Sequence, residues 1–152
     1  MRARTLVWRG LDTPRMEIAH VDATGPEPRA RGTQIGVAYE LRYELDGHRL
    51  ALEVVGERSL ELELVSGTDF FDLGYSPLFN SLPVWRDGLE QPRDYVMSWV
   101  SVPDLSVSPS EQRYEQIGTR HVRYRAGSFT ADLELDADGF VVRYPRLAEL
   151  VS

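Results

Sequence analysis

Apolar and polar residues alternate with a period of two through most of the chain after residue 33. The alternation is most regular from Ile35 to Leu45, where every odd position is apolar or aromatic. Because successive side chains of a strand point to opposite faces, this pattern predicts one long strand with its odd-numbered side chains buried. Asp46-Gly47 is a tight-turn dipeptide, and alternating leucines continue to residue 64. The segment therefore predicts a three-stranded antiparallel meander.

The second half of the chain repeats this pattern in shorter segments. Further strands are expected at residues 95–102, 112–117, 121–125, 129–136 and 140–144. With the first half, this makes roughly nine to eleven strands, a close spacing typical of an all-β sandwich, roll or barrel. Little helix is expected, with one or two turns at 145–151 and an irregular segment at 77–91. Residues 23–32 and 106–110 are expected to form loops, since they are rich in proline, glycine or serine.

The length of 152 residues is typical of one domain, since single cores usually occupy about 100 to 200 residues. We therefore expect residues 1–152 to form a single domain. The apolar run at Leu6-Val7-Trp8 is much shorter than the core of a signal peptide, and no stretch is long enough for a membrane-spanning helix. A cytoplasmic protein is the expectation.

The charged residues exclude several classes of function. The chain has 17 basic and 24 acidic residues, a net charge of −7, so neither nucleic acid nor an anionic lipid surface is an expected partner. It has no cysteine, which excludes a thiolate nucleophile and cysteine-ligated metals. Every basic residue is an arginine, which excludes Schiff-base chemistry and a lysine general base.

No motif indicates a metal or a cofactor, and none is expected. His20, His48 and His121 are far apart in sequence and lack the close spacing of metal ligands. The run Asp136-Ala-Asp138-Gly139 resembles the start of a calcium loop, but it lacks the acidic residue that closes such a loop. A β-turn between two strands is therefore expected there.

Several large rings with polar tips are predicted to face the interior. Tyr39 and Tyr43 share the buried face of the longest expected strand, and Tyr124, Tyr144 and Trp99 fall in the apolar phase of theirs. Such rings can line a cavity that holds an apolar tail and hydrogen-bonds a hydroxylated head group. They can also fill an ordinary core with their hydroxyls bonded to neighbouring groups.

The segment from Asp69 to Arg86 has the most distinctive composition. It contains the only asparagine of the chain, Asn80, between two prolines that restrict the backbone. Apolar residues with an amide and a guanidinium on a stiff loop suit the mouth of a pocket that recognises a polar head group. Alternatively, Asn80 forms the turn by bonding backbone groups, which is a common role of asparagine.

Several parts of the sequence together resemble the putative glycolipid-binding family, a set of bacterial proteins long described as a domain of unknown function. They are Leu6-Val7-Trp8, Leu41 to Asp46, Asp69 to Arg86 with its pattern S-P-x-x-N-x-L-P, Gln112 to Tyr114 and Asp136 to Pro145. The resemblance implies a strongly bent antiparallel β-roll, or open barrel, similar in shape to carriers of bacterial lipoproteins.

The chain departs from the family's pattern at three places. Phe79 precedes the asparagine, where threonine is usual, and Val84-Trp85-Arg86 follows the last proline, where the family has isoleucine and an arginine pair. The chain is also short between Val65 and Asp69, where the family has a further hairpin.

These observations lead to the hypothesis of a non-catalytic binder of an amphiphile, such as a glycolipid, in a pocket of the curved sheet. The expected ligand-binding residues are Asn80, Arg86, Tyr114, Tyr43, Trp99, Tyr144 and Asp72. Two alternatives stay open. An enzyme of glycolipid metabolism would use Asp72 or Asp69 as a base, and a protein–protein interaction module would dock its partner on an aromatic patch.

Overall fold

Tight turns divide the chain into consecutive strands. The computed structural model describes residues 3–152, and 56 % of these residues are strand. The strands are β1 (Arg4–Gly10), β2 (Met16–Asp22), β3 (Arg29–Ile35), β4 (Glu40–Asp46), β5 (Arg49–Val54), β6 (Arg58–Glu63), β7 (Phe70–Leu73), β8 (Arg93–Val100), β9 (Val107–Gly118), β10 (His121–Ala126), β11 (Phe129–Leu135), β12 (Val141–Tyr144) and β13 (Ala148–Leu150). Between β7 and β8 the chain forms one turn of 3-10 helix, Pro77–Asn80, and a short helix, α1 (Ser81–Asp87).

All these strands belong to one sheet. Their order is β6-β5-β4-β3-β2-β1-β13-β12-β11-β10-β9-β8-β7. Neighbours are antiparallel except β7 and β8, which run parallel because the helical segment between them carries the chain back to the same end of the sheet. β6 and β7 form the two edges and do not pair with each other, so the sheet stays open. In the described part of the chain, no helix is long and apolar enough to cross a membrane.

The sheet is strongly bent, which brings its two ends together around a shared core. Tyr43 on β4 packs edge-to-face on Phe79 of the 3-10 turn, with ring centroids 5.7 Å apart. The main buried cluster draws on β1 to β6 and also includes Phe71 and Leu73 of β7. A second buried cluster lies on β8 to β12. The prediction of an all-β, strongly bent sheet with little helix is confirmed, and its thirteen strands exceed the number expected.

The alternating run from Ile35 to Leu45 is not one strand. β3 ends at Ile35, residues 36–39 form a turn, and β4 begins after them. Ile35 and Val37 are 49 % and 80 % exposed, whereas Leu41 is fully buried. The single-strand prediction is wrong because the alternating pattern runs on through a turn, where side chains have no sheet face to occupy. The meander of β4, β5 and β6 is confirmed.

Other segments also differ from expectation. Residues 29–32 and 107–110 are strand although their composition predicted loop, and residues 77–87 are helical instead of irregular. Ala148–Leu150 pairs with β1 and β12 and does not form a helical turn. These segments become regular because neighbouring strands supply hydrogen-bond partners and other elements pack against them. Neither effect can be predicted from the composition of the segment itself.

Candidate functional site

A cleft of about 270 Å³ lies between the two ends of the bent sheet, beside the segment 69–86. We call it the loop cleft. Its floor is apolar and includes Leu45, Leu64, Phe71, Leu82 and Trp85. Its rim is charged and consists of Glu27, His48, Asp69 and Arg86. An apolar floor beneath a few convergent polar groups is the usual composition of a small-molecule site.

Arg86 lies on this rim with its guanidinium over aromatic rings, as the pocket-mouth hypothesis requires. Its Cζ is 4.2 Å from the ring centroid of Phe70 and 5.8 Å from that of Tyr95. Its Nη2 is 3.1 Å from Asp87 Oδ2 and 3.5 Å from Asp69 Oδ1. Because the Arg86 side chain is still 48 % exposed, its neighbours orient the guanidinium without hiding it from a ligand.

Helix α1 places Trp85 and Arg86 at the cleft. The helix ends at Gly88, whose φ of +70° is the left-handed conformation that glycine adopts readily, and whose N–H donates to Val84 O. Trp85 Nε1 donates to Asp138 O at 2.8 Å, and its ring packs against Phe140 with centroids 5.0 Å apart. These contacts hold one wall of the cleft against the connection between β11 and β12.

The opposite wall comes from the hairpin between β4 and β5. Its two-residue turn is Gly47-His48, so the tight hairpin is confirmed but its turn begins one residue later than the expected Asp46-Gly47. Gly47 has a φ of +59°, and a Cβ there would overlap the carboxylate of Glu27. His48 Nε2 lies 2.7 Å from Glu27 Oε1. The turn therefore depends on glycine both for its backbone conformation and for the close approach of the loop before β3.

Asn80, Tyr114 and Asp72 lie in the interior, linked by Gln112. Asn80 Nδ2 donates to the Tyr114 hydroxyl at 2.9 Å, and this hydroxyl donates to Gln112 Oε1 at 3.2 Å. Gln112 Nε2 then donates to Asp72 Oδ2 at 2.7 Å. All four side chains belong to residues at most 9 % exposed. The expectation that Asn80 bonds backbone groups is wrong, because its amide instead ties the 3-10 turn to β9.

Burial raises the pKa of Asp72 from 3.8 to about 6, and the hydrogen bond from Gln112 offsets only part of the shift. Burial also raises the pKa of Tyr114 well above its usual value, and the negative charge of Asp72 adds to this effect. Asp72 does not line the loop cleft, whereas Asp69 does. Asp72, the carboxyl group with the raised pKa, therefore lies behind the cleft wall.

A second buried carboxylate, Glu17, has no counterpart in the sequence-based prediction. Tyr43 and Ser76 donate to its Oε2 at 2.6 and 2.7 Å. Burial raises the pKa of Glu17, while these hydrogen bonds act in the opposite direction. No sequence signal marks this residue, because Met16 and Ile18 look like the apolar face of β2 but are 40 % and 48 % exposed. Tyr43 is a predicted ligand contact, but in the structure its hydroxyl donates to Glu17. The same carboxylate oxygen accepts from Ser76, the residue before the 3-10 helix.

The prediction that Trp99 faces the interior is wrong. Met97 and Val100 are both buried, so the strict alternation of β8 breaks between them and Trp99 is 36 % exposed. Trp99 is the strand partner of Asp72 across β7 and β8, but it does not line the loop cleft.

Tyr144 ends a line of aromatic rings in tilted and edge-to-face contact that crosses the second buried cluster. We call this line the aromatic row, and its members are Phe70, Tyr95, Tyr114, Tyr124 and Tyr144. Successive ring centroids are between 5.2 and 6.4 Å apart. The row begins under the Arg86 guanidinium at the loop cleft. Within residues 3–152, no three His, Asp or Glu side chains converge as metal ligands would.

The fold and the loop cleft define an all-β protein with one bent, open sheet and an amphipathic cleft between its ends. The chain belongs to the family described as "Putative glycolipid-binding", whose model matches residues 56–149, which confirms the resemblance seen in the sequence. The matched residues include the whole segment from Asp69 to Arg86.

A crystal structure of a DUF1089 family protein from Pseudomonas aeruginosa, at 1.80 Å resolution, has a similar fold. The TM-score is 0.63 with 20 % sequence identity, and the alignment covers 98 % of this chain and 92 % of that chain. No curated protein matches the sequence.

Proposed function

We propose that the protein binds an amphiphile of the glycolipid class in the loop cleft and does not transform it. The family description supports a binding role in general. The observation that carries the proposal is the position of Arg86. Its half-exposed guanidinium is held over Phe70 at the rim of an apolar cleft.

The two parts of an amphiphile match the two parts of this cleft. An acyl chain would lie against Leu45, Leu64 and Leu82, where removal of apolar surface from water supplies the driving force. Sugar hydroxyls would meet Asp69 and Arg86, which offer an acceptor and a forked donor respectively. The cleft volume of about 270 Å³ lies just below the usual range of roughly 300 to 1,000 Å³ for small-molecule pockets. We therefore propose that the end of the chain enters the cleft while most of the head group stays outside.

Native mass spectrometry of the freshly purified protein tests the proposal directly. A co-purified lipid of defined mass is the expected result, and its titration into delipidated protein then gives the affinity. Arg86→Ala should weaken this affinity by about 1–3 kcal/mol, the usual cost of losing a hydrogen bond to a charged group. Leu64→Trp should fill the cleft and block the acyl chain.

Arg9→Ala is the matched control, because Arg9 is also a half-exposed, ion-paired arginine but lies at Glu149, away from the cleft residues. It should bind the lipid as the wild type does. Unaltered affinity in both Arg86→Ala and Leu64→Trp, with the melting temperatures preserved, would exclude the loop cleft as the binding site.

A glycolipid-modifying enzyme is the second candidate function, and the raised pKa of Asp72 is the observation that favours it. Against it, the residue lies behind the cleft wall and accepts a hydrogen bond from Gln112. Incubation of the purified protein with the identified lipid separates the two functions. Turnover by the wild type and none by Asp72→Asn would support the enzyme, and intact lipid after prolonged incubation would support the binder.

The proposed location is the cytoplasm. Cell fractionation followed by immunodetection of the chain tests it, and recovery with the envelope fraction would contradict it.

A further inference from the structure

A second cleft, of about 580 Å³, lies beside β11 and shares no lining residue with the loop cleft. We call it the β11 cleft. β11 pairs with β12 only at Glu134 and Leu135. On this side, residues 129–133 have no strand partner within the described part of the chain. The cleft lies between this free edge and the turn at residues 144–147.

Aromatic rings form the apolar part of the β11 cleft. Phe129 is 50 % exposed, and its ring lies 6.4 Å from that of Tyr144 at an interplanar angle of 32°. Tyr124 stands behind them, with its centroid 6.0 Å from Phe129. Of the buried side-chain oxygens and nitrogens of residues 3–152, only Ser81 Oγ lacks a hydrogen-bond partner. Tyr144 is 7 % exposed and lines the cleft, and its hydroxyl makes no hydrogen bond with the described residues.

Guanidinium groups form the charged part. Arg146 is exposed and makes no ion pair with any of residues 3–152, although the chain as a whole has a net charge of −7. The nearest carboxylate oxygen to Arg125 is that of Glu115, at 3.9 Å from Nη2. Arg123, by contrast, is engaged by Asp132 at 2.8 Å. Arg125 and Arg146 are therefore the two cationic side chains of this cleft that are available to bind an anion.

Arg146 has an unusual backbone conformation. Leu147 N donates to Tyr144 O at 3.0 Å across a turn that contains Pro145 and Arg146. Arg146 has a φ of +70°, at a turn position where glycine or asparagine is preferred. Tyr75, Leu89, Leu105 and Arg120 share this conformation, but of the five only Arg146 places a cation without an ion-pair partner at the β11 cleft.

We propose that the β11 cleft binds a small organic anion, namely a phosphate or carboxylate attached to an aromatic or sugar ring. Arg146 and Arg125 hold the anion, because a planar guanidinium matches two oxygens of such a group. Phe129 and Tyr144 pack against the ring, and the free tyrosine hydroxyl bonds its polar substituent. The loop cleft is not needed for this site, so either proposal can fail without the other.

Phenyl phosphate, benzoate and inorganic phosphate are the probes for the test. Each is titrated into ¹⁵N-labelled protein and followed by ¹H–¹⁵N NMR. Saturable shifts at the amides of residues 129–132 and 146–148 are expected with phenyl phosphate or benzoate, and weaker binding is expected for inorganic phosphate. Absence of shifts at these amides with both ring-bearing probes would overturn the proposal, as would equal affinity for inorganic phosphate.

Arg146→Gly is the decisive variant, because glycine relieves the backbone strain while removing the cation. Its melting temperature should equal or exceed that of the wild type, while its affinity for the ring-bearing anion should fall about tenfold or more, as expected when a hydrogen bond to a charged group is lost. Arg9→Ala again serves as the control and should bind normally. Unchanged affinity in Arg146→Gly would overturn the proposal.

Discussion

Replacing Asp72 with asparagine should remove a pH dependence from the stability of this protein. The carboxyl is buried, and its pKa rises from 3.8 to about 6 in the folded state. A carboxyl whose pKa is raised by folding prefers to be protonated there, so its contribution to stability is full at low pH and is lost as the pH rises through the folded pKa. The wild type should therefore lose stability relative to Asp72→Asn between about pH 4 and pH 7.

The magnitude follows from the shift. A rise of about 2 pKa units corresponds to ~3 kcal/mol, since each unit is worth about 1.4 kcal/mol. Asparagine keeps the acceptor for Gln112 but adds an amide that needs its own partner, a cost that does not depend on pH. The quantity to compare is therefore the change in the free energy of unfolding from about pH 4 to about pH 8. The wild type should lose ~2–3 kcal/mol more of this free energy than Asp72→Asn does.

Urea denaturation of both proteins at several pH values measures this difference. Asp94→Asn is the control, because it makes the same chemical change at a side chain that is 76 % exposed. It should follow the wild type. If the stability curves of wild type and Asp72→Asn run parallel from pH 4 to 8, burial does not govern the ionisation of Asp72, and the reasoning fails.

Three further predictions concern the fold. Leu41→Ala should cost ~2–4 kcal/mol because it leaves a cavity in the main cluster, whereas Ile35→Ala, on an exposed position, should cost less than about 1 kcal/mol; equal losses in urea titrations would contradict the burial of Leu41. Tyr43→Phe removes a donor to the buried carboxyl group of Glu17 and should destabilise the protein by ~1–3 kcal/mol in the same urea titrations, and an unchanged stability would contradict this role of the hydroxyl. We also propose that residues 1–152 unfold as one domain, so circular dichroism and tryptophan fluorescence should report the same melting temperature, and separated transitions would refute it.

Local signals in the sequence were sufficient for much of the fold. β4, β5 and β6 combine alternating leucines with a glycine turn, and both features act between residues close in sequence. Among the later strands, the turns between β10 and β11 and between β11 and β12 likewise contain a glycine, Gly127 and Gly139. For the same reason the segment from Asp69 to Arg86 could be singled out, since its prolines and aromatic residues are neighbours in sequence.

Which face of a strand is buried is a different question, because it depends on what packs there. Period-two alternation is equally satisfied by either face, so the exposed Ile35 looked like a core residue and Glu17 was not singled out as an inward-facing residue. Glu17 lies inside because Tyr43 and Ser76, distant in sequence, supply its hydrogen bonds.

The sequence by itself determined that the chain forms short antiparallel strands, which family it resembles and which loop holds Arg86. The tertiary structure alone decided the partners: Asn80 meets Tyr114 across 34 positions, and Gln112 meets Asp72 across 40. It also assembled both clefts: the bend of the sheet brings the walls of the loop cleft together, and the incomplete pairing of β11 with β12 opens the β11 cleft. The physical reason is that turn chemistry and alternation act over a few residues, whereas a cleft and a buried hydrogen bond exist only after the chain has folded.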